Sequence, residues 1–170
     1  MTREKEIESL LETTIKPDDL VVVSLGKMGR ELFELRKKRK EPTNDFYCMG
    51  AMGCATGVAL GVAINTTKRV FLLIGDGAAL MQLGSFTTLL YTRPRNLFTI
   101  ILNNDSHDST GGQPTNFSQV RDWLQTFCTI IDVEKGARED LGRPDIPPEQ
   151  IVSNFHAKVL SPTNPQKDTK

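Results

Sequence analysis

The sequence lacks a net charge: its 21 basic and 21 acidic residues cancel, so no overall field draws the chain to nucleic acid or to an anionic membrane. It also lacks a cysteine framework. Three cysteines, an odd number with neither disulfide nor metal-ligand spacing, point to a reducing compartment, and Cys48, Cys54 and Cys128 read as small apolar fillers. There is no charged-then-apolar leader with a cleavage site and no uninterrupted apolar stretch of membrane-spanning length. A soluble cytoplasmic protein without nucleic-acid or membrane partners is the expectation. A GxGxxG turn and a GxxxxGKS/T loop are both missing, which weighs against a generic nucleotide-binding domain. The main local charge run, Arg36 to Lys40, falls at the end of a predicted helix, where cations suit the helix dipole.

What is present reads as one domain spanning 1–170, long enough for a workable core. Ile7, Leu10, Leu11 and Ile15 predict a one-faced helix from Arg3 to Ile15, ended by Pro17. Leu20 to Ser24 reads as a buried strand, after which Gly26 turns the chain into a charged helix, Arg30 to Lys40. Glu41 to Asp45 is a loop by composition. Met49 to Ile64 is apolar and small, and the four-residue spacing of Gly53, Gly57 and Gly61 predicts a stripe on one helix face where another backbone can pack closely. Arg69 to Ile74 and Asn96 to Leu102 are continuous apolar runs suited to central parallel strands, joined by a crossover helix from Ala78 to Thr92. Asp105 to Asn116, a polar loop of about a dozen residues, is long enough to suggest function. Ser118 to Phe127 reads as a helix, Cys128 to Val133 as a last strand, Glu149 to Leu160 as a short helix, and 161–170 as a flexible tail. This alternation predicts an α/β domain with a mainly parallel sheet, helices on both faces, and ligands at the carboxyl ends of its strands.

On that edge stands Gly75-Asp76-Gly77, followed after 25 residues by Asn103-Asn104. Asp76 lies where a strand runs into a glycine turn and a helix, so its carboxylate can hold a cation while free N–H groups of the helix start face phosphate oxygens. Asn104 ends the neighbouring strand. Oxygen donors with part of the shell supplied by phosphate are what Mg²⁺ prefers. The plainer alternative is that Asp76 caps a helix and Asn104 serves a turn.

This pair resembles the signature of thiamine-diphosphate enzymes. FYCMGAMG (Phe46 to Gly53), GDGAALM (Gly75 to Met81), LNNDSHDSTGGQPT (Leu102 to Thr115) and GAREDLGRP (Gly136 to Pro144) are together similar to the diphosphate-binding (PP) domain of the phosphonopyruvate decarboxylases and of sulfopyruvate decarboxylase β subunits, over Val21 to Leu160. The resemblance implies thiamine diphosphate and Mg²⁺ as cofactors. By position it makes Asp76, the side chain of Asn104 and the backbone carbonyl of Ser106 metal ligands. Gly75, Gly77 and Ala78 would form the diphosphate turn, and Gly26 another turn on the diphosphate side. Gly50 would offer its carbonyl to the aminopyrimidine, and Met52 would be the apolar wedge behind bent thiamine, unless it is an ordinary core methionine. The implied reaction is loss of CO₂ from phosphonopyruvate to give phosphonoacetaldehyde, with sulfopyruvate as the alternative substrate and the cofactor as electron sink.

Such enzymes draw a glutamate from a pyrimidine-binding domain, which this sequence lacks. The expectation is therefore one subunit of a split decarboxylase, a hetero-oligomer active only with an α-type pyrimidine-domain partner. Only Asn116 to Lys135 separates the QPT and GxxxxLGRP segments, so about one βα unit of the resembled fold is missing. That loss leaves open a catalytically silent scaffold or regulatory subunit. In the loop beyond the metal motif, His107 is the candidate catalytic residue, able to donate to a phosphonate or sulfonate or to relay a proton, and equally readable as a structural loop histidine. Gly111-Gly112 could close over an anion or simply turn. Arg138 and Arg143 could approach an anionic substituent or pair on the surface, and His156 reads as structural.

Overall fold

A computed structural model describes residues 1–136 and 138–162. Within them a five-stranded, all-parallel sheet has the order β2-β1-β3-β4-β5, with β1 Leu20–Val23, β2 Phe46–Tyr47, β3 Val70–Gly75, β4 Leu97–Asn103 and β5 Thr129–Asp132. Seven helices surround it: α1 Arg3–Thr13, α2 Lys27–Lys38, α3 Ala55–Ile64, α4 Asp76–Met81, α5 Leu83–Thr92, α6 Ser118–Gln125 and α7 Pro148–Leu160. The apolar runs are continuous because both faces of the sheet are covered. Val21, Val23, Phe71 and Leu73 point into a core under α1 and α2, while Leu20, Val22, Val70, Leu72 and Ile74 point into a second core under α3, α5 and α6. Each fully buried Leu, Ile or Val in these layers contributes roughly 1.5–3 kcal/mol. α7 lies along the β2 side, with Ile151 in one core and Phe155 in the other.

The expected α/β architecture is the one observed, with four local corrections. The two-residue strand β2 follows a stretch read as loop, and it is too short to show a periodic pattern. α2 begins at Lys27, one turn early, directly from Gly26 at φ 115°. The helix expected from Met49 begins only at Ala55, because Gly50 and Gly53 take left-handed φ values of 74° and 82°. Gly53 is thus no part of the helix stripe; a Cβ there would lie 2.7 Å from Gln82 Cγ, so its close approach is to the α4–α5 junction. Gly57 and Gly61 do share an exposed face, against which nothing among the described residues packs. The crossover helix is broken at Gln82 (φ −131°, ψ 46°) into α4 and α5.

Cys48 and Cys128 are buried fillers, and burial pushes both thiols up to about 12. Cys54 departs from that expectation, being exposed just before α3. Arg36 departs from the helix-dipole reading: it is buried and paired with Asp45. No helix among the described residues is long and apolar enough to cross a membrane. Most of the expected tail, from residue 163 onward, lies outside the described residues.

Candidate active site

Parallel pairing delivers the carboxyl ends of β1, β3 and β4 to one edge, and the register of Gly75 opposite Leu102 places Asp76 beside the Asn103-Asn104 pair. The two asparagines then part. Asn103 turns toward β5, its Nδ2 donating to Asp132 Oδ1 at 2.9 Å, while Asn104 turns into a cleft at the sheet edge. Of the expected site residues, Gly26, Met52, Gly75, Asp76, Gly77, Ala78, Asn104, Ser106 and His107 all line that cleft. Gly50 does not: it is exposed in the turn before Met52, with open space around it. Met52 is half-buried, lining the cleft wall on one side and packing against the second core on the other.

Asp76 is 2 % exposed. Burial pushes its carboxyl above the usual aspartate range, against the opposing pull of hydrogen bonds from Thr115 and from the backbone of Gly77 and Asn104. Thr115 Oγ1 donates to Asp76 Oδ2 at 2.6 Å. Asn104 Oδ1 accepts the Ser106 N–H at 3.2 Å, and its Nδ2 donates to Asp108 Oδ2 at 2.6 Å. Among the described residues no group of three or more His, Cys, Asp and Glu side chains could enclose a metal. One carboxylate, one carboxamide and backbone oxygens leave most of a Mg²⁺ shell to water and phosphate, and that is the donor set Mg²⁺ favours.

His107 packs directly on the GDG turn: a Cβ at Gly77 would lie 2.6 Å from His107 Nδ1. The loop that carries His107 is folded on itself, with His107 N–H donating to the Gln113 carbonyl at 2.9 Å and the His107 carbonyl accepting from the N–H groups of Thr110 (2.9 Å) and Gly112 (3.1 Å). Gly111 and Gly112, at φ 112° and 78°, make this turn possible. Arg138 lies outside the cleft lining, donating to Glu4 and Asp140 at 3.0 Å each. Arg143 and His156 are exposed and also outside it.

Four residues of the site carried no assignment from sequence. Thr115 holds Asp76, Asp108 holds Asn104, Arg3 reaches the cleft from the first turn of α1, and Lys27 lines it from the start of α2. The Lys27 side chain is 11 % exposed, and its Nζ donates to Glu139 Oε2 at 3.1 Å and to the Arg138 carbonyl at 3.4 Å. A hydrogen bond to a buried charge is worth ~1.5–3 kcal/mol, so Thr115→Val is expected to weaken Mn²⁺ binding at Asp76 by roughly 10- to 100-fold. Titration followed by electron paramagnetic resonance measures this, and unchanged affinity would exclude Thr115 from the site.

Residues 24–169 match the family described as thiamine pyrophosphate enzyme, C-terminal TPP binding domain. The phosphonopyruvate decarboxylase of Streptomyces hygroscopicus is 45 % identical over 191 residues, covering 95 % of this chain and 46 % of that protein. The phosphonopyruvate decarboxylase of Streptomyces viridochromogenes is 34 % identical over 193 residues, covering 95 % and 47 %. The sulfopyruvate decarboxylase subunit beta of Methanocaldococcus jannaschii is 35 % identical over 98 residues, 58 % of this chain and 50 % of that protein. The chain spans about half the length of the curated relatives it matches. Both Streptomyces alignments are longer than this chain of 170 residues, so those relatives carry positions it lacks, in keeping with the missing βα unit.

Proposed function

The chain belongs to the thiamine pyrophosphate enzymes, as their C-terminal TPP binding domain, and on that premise we propose that it is the diphosphate- and magnesium-binding part of a 2-oxo acid decarboxylase that converts phosphonopyruvate to phosphonoacetaldehyde and CO₂. The observation that carries this reading is the convergence of buried Asp76 and Asn104, from two adjacent strand ends, on one cleft with the His107 loop. Phosphonate is preferred to sulfonate because relatives named phosphonopyruvate decarboxylase align over 95 % of the chain, and those named sulfopyruvate decarboxylase over 58–71 %.

Asp76, the side chain of Asn104 and the Ser106 carbonyl would hold Mg²⁺. Gly77 and Ala78 form the first turn of α4, where a diphosphate would meet backbone N–H groups, and Met52 supplies an apolar wall. When bound, thiamine diphosphate supplies the electron sink for loss of CO₂. Beyond holding it, the chain would contribute a cationic and hydrogen-bonding rim, in which Lys27 and His107, both lining the cleft, would receive a 3-substituted pyruvate. The cleft encloses only about 70 Å³, far below the ~300–1,000 Å³ of small-molecule sites, and would therefore form one wall of a larger site. An α-type pyrimidine-domain subunit, bringing the catalytic glutamate, would supply the other wall. Relatives named "subunit beta" fit such a hetero-oligomer. The exposed Met81 and the open face of Gly57 and Gly61 offer surface for that partner. Three free cysteines suit the cytoplasm.

Calorimetry with thiamine diphosphate and Mg²⁺, with and without a candidate pyrimidine-domain chain, tests the reading, together with ³¹P NMR of phosphonopyruvate turnover. Weak binding of the metal and diphosphate by this chain alone is expected, with full thiamine diphosphate heat and phosphonoacetaldehyde only when both chains are present. Turnover by this chain alone would overturn the split arrangement, and binding without turnover in the pair would favour a silent subunit. His107→Asn in the assembled enzyme is expected to lower kcat by roughly 100-fold, the scale of a positioned acid or base, without changing cofactor affinity. Wild-type kinetics would remove His107 from the mechanism.

A further inference from the structure

Behind Asn104 lies a chain of buried charges that the cofactor reading does not use. Arg3, from the first turn of α1, forks onto Glu31 of α2, Nε to Oε2 at 2.7 Å and Nη2 to Oε1 at 3.0 Å. Its remaining nitrogen, Nη1, lies 3.5 Å from Asp108 Oδ2. The same Asp108 oxygen accepts Asn104 Nδ2 at 2.6 Å. The side chains of Arg3, Glu31 and Asp108 are 9 %, 3 % and 11 % exposed, so none of the three is a surface pair. They come from three separate elements, α1, α2 and the loop after β4, and of the three Arg3 and Asp108 line the cleft.

A carboxamide has a donor end and an acceptor end, and only the acceptor can bind a cation. From these contacts we infer that Arg3 and Asp108 are positioning residues that fix the Asn104 side chain with Oδ1 toward the metal position, making the first turn of α1 part of the metal site. This rests on the reading of Asn104 as a metal ligand given above. Asp108 acts on the amide directly, drawing Nδ2 to its carboxylate and so leaving Oδ1 to the Ser106 N–H and the cleft. With Asp108 gone, the amide is free to turn over and present N–H groups to the cation. Arg3 acts at one remove: its guanidinium, 3.5 Å from the Asp108 carboxylate, holds that side chain in place, and Glu31 in turn locks the guanidinium. The set Arg3, Glu31 and Asp108 carries one surplus negative charge beside Asn104, which also favours a dication there.

The test uses the purified chain, with ¹⁵N NMR of side-chain amides and Mn²⁺ titration in inorganic pyrophosphate followed by electron paramagnetic resonance. The Asn104 Nδ2 signals, identified by their loss in Asn104→Asp, are expected to lie apart from the other asparagines in the wild type and to revert to the ordinary range in Asp108→Ala. Mn²⁺ affinity is expected to fall at least tenfold in Asp108→Ala and in Arg3→Met, with most of it recovered in Arg3→Lys. Because Arg3→Met leaves Glu31 buried alone, the double change Arg3→Met/Glu31→Gln provides a folded counterpart with the same expected loss. Asn104 signals unmoved by Asp108→Ala overturn the inference. So does a moved amide with Mn²⁺ affinity within twofold of wild type. Failure of the wild type itself to bind Mn²⁺ with pyrophosphate, its amide signature intact, removes the metal assignment of Asn104 and the positioning role with it, while leaving the tether standing.

Discussion

Asp76→Asn is expected to abolish magnesium-dependent binding of thiamine diphosphate in the assembled enzyme, a loss on the order of a thousandfold, while leaving the isolated chain as stable as the wild type or more so. The two halves of this expectation have one cause. Asp76 is buried, and burial is the largest influence on its carboxyl, holding it above the ordinary aspartate range despite the Thr115 hydroxyl and two backbone N–H groups. An isosteric amide removes the unfavourable buried charge and keeps an acceptor for Thr115. What it cannot replace is the anionic ligand: losing it costs the cation several kcal/mol, at ~1.4 kcal/mol per tenfold.

The sign of the pH dependence follows. A carboxyl whose folded-state pKa is raised contributes stability that is present below the unfolded pKa and lost as pH rises through the folded pKa. Ionising Asp76 in the free chain therefore places an unfavourable anion in a buried position, which a divalent ion bound there would relieve. Acidification should weaken metal binding before carboxylates with ordinary or depressed values protonate, because the cation must displace a proton that Asp76 holds unusually well. Urea unfolding of the free chain and calorimetry of the assembled enzyme, each across pH, measure the two sides. Undiminished cofactor heat in Asp76→Asn would sink the metal assignment altogether.

Much of this site was legible because its key residues lie where local patterns end. A continuous apolar strand followed by GDG, and a second followed by NN, place their polar residues at one sheet edge whatever the rest of the chain does. Arg3 was not legible. In the sequence it is one charge among several at the start of a helix, and its meaning comes from Glu31, 28 positions away, and from Asp108. Thr115 likewise reads as the end of a loop until folding brings it to Asp76, 39 positions back. Lys27 carries no signal in the sequence beyond its place between Gly26 and a charged helix, and its position at the cleft wall is held by Glu139 arriving from the far end of the chain. Helical and strand periodicity report burial along one element; they carry no information on which charge meets which. The glycine stripe fails for a related reason, since Gly53 was counted by spacing while its φ of 82° takes it out of the helix.

The largest expected effect on stability lies at the opposite end of the sheet. Asp45, just before β2, accepts two hydrogen bonds from Arg36 of α2, Nε to Oδ2 at 2.8 Å and Nη2 to Oδ1 at 3.1 Å. It also lies 4.0 Å from Lys158 Nζ of α7, and its own side chain is fully buried. Burial alone would lower the Arg36 pKa, yet Asp45 and Glu41 hold it above the ordinary value; burial likewise pushes the Lys158 amine down, with Asp45 opposing. One carboxylate thus serves cations from two helices and fixes the edge strand between them. Asp45→Ala leaves both cations buried without it and is expected to cost about 3–5 kcal/mol, against the ~5–15 kcal/mol by which a domain is stable. For a chain of this size that is a fall in Tm of roughly 10 °C by scanning calorimetry. Replacing both partners, as in Arg36→Met/Asp45→Leu, should cost less than Asp45→Ala alone, because no uncompensated charge remains. A single variant within about 1 kcal/mol of wild type would mean that Glu41 alone satisfies Arg36, whose Nη1 it already accepts at 2.6 Å. The consequence reaches the cleft, since β2 leads directly into the turn of Gly50 and Met52. Loosening that edge should weaken cofactor binding in Asp45→Ala even at temperatures where the rest of the fold survives.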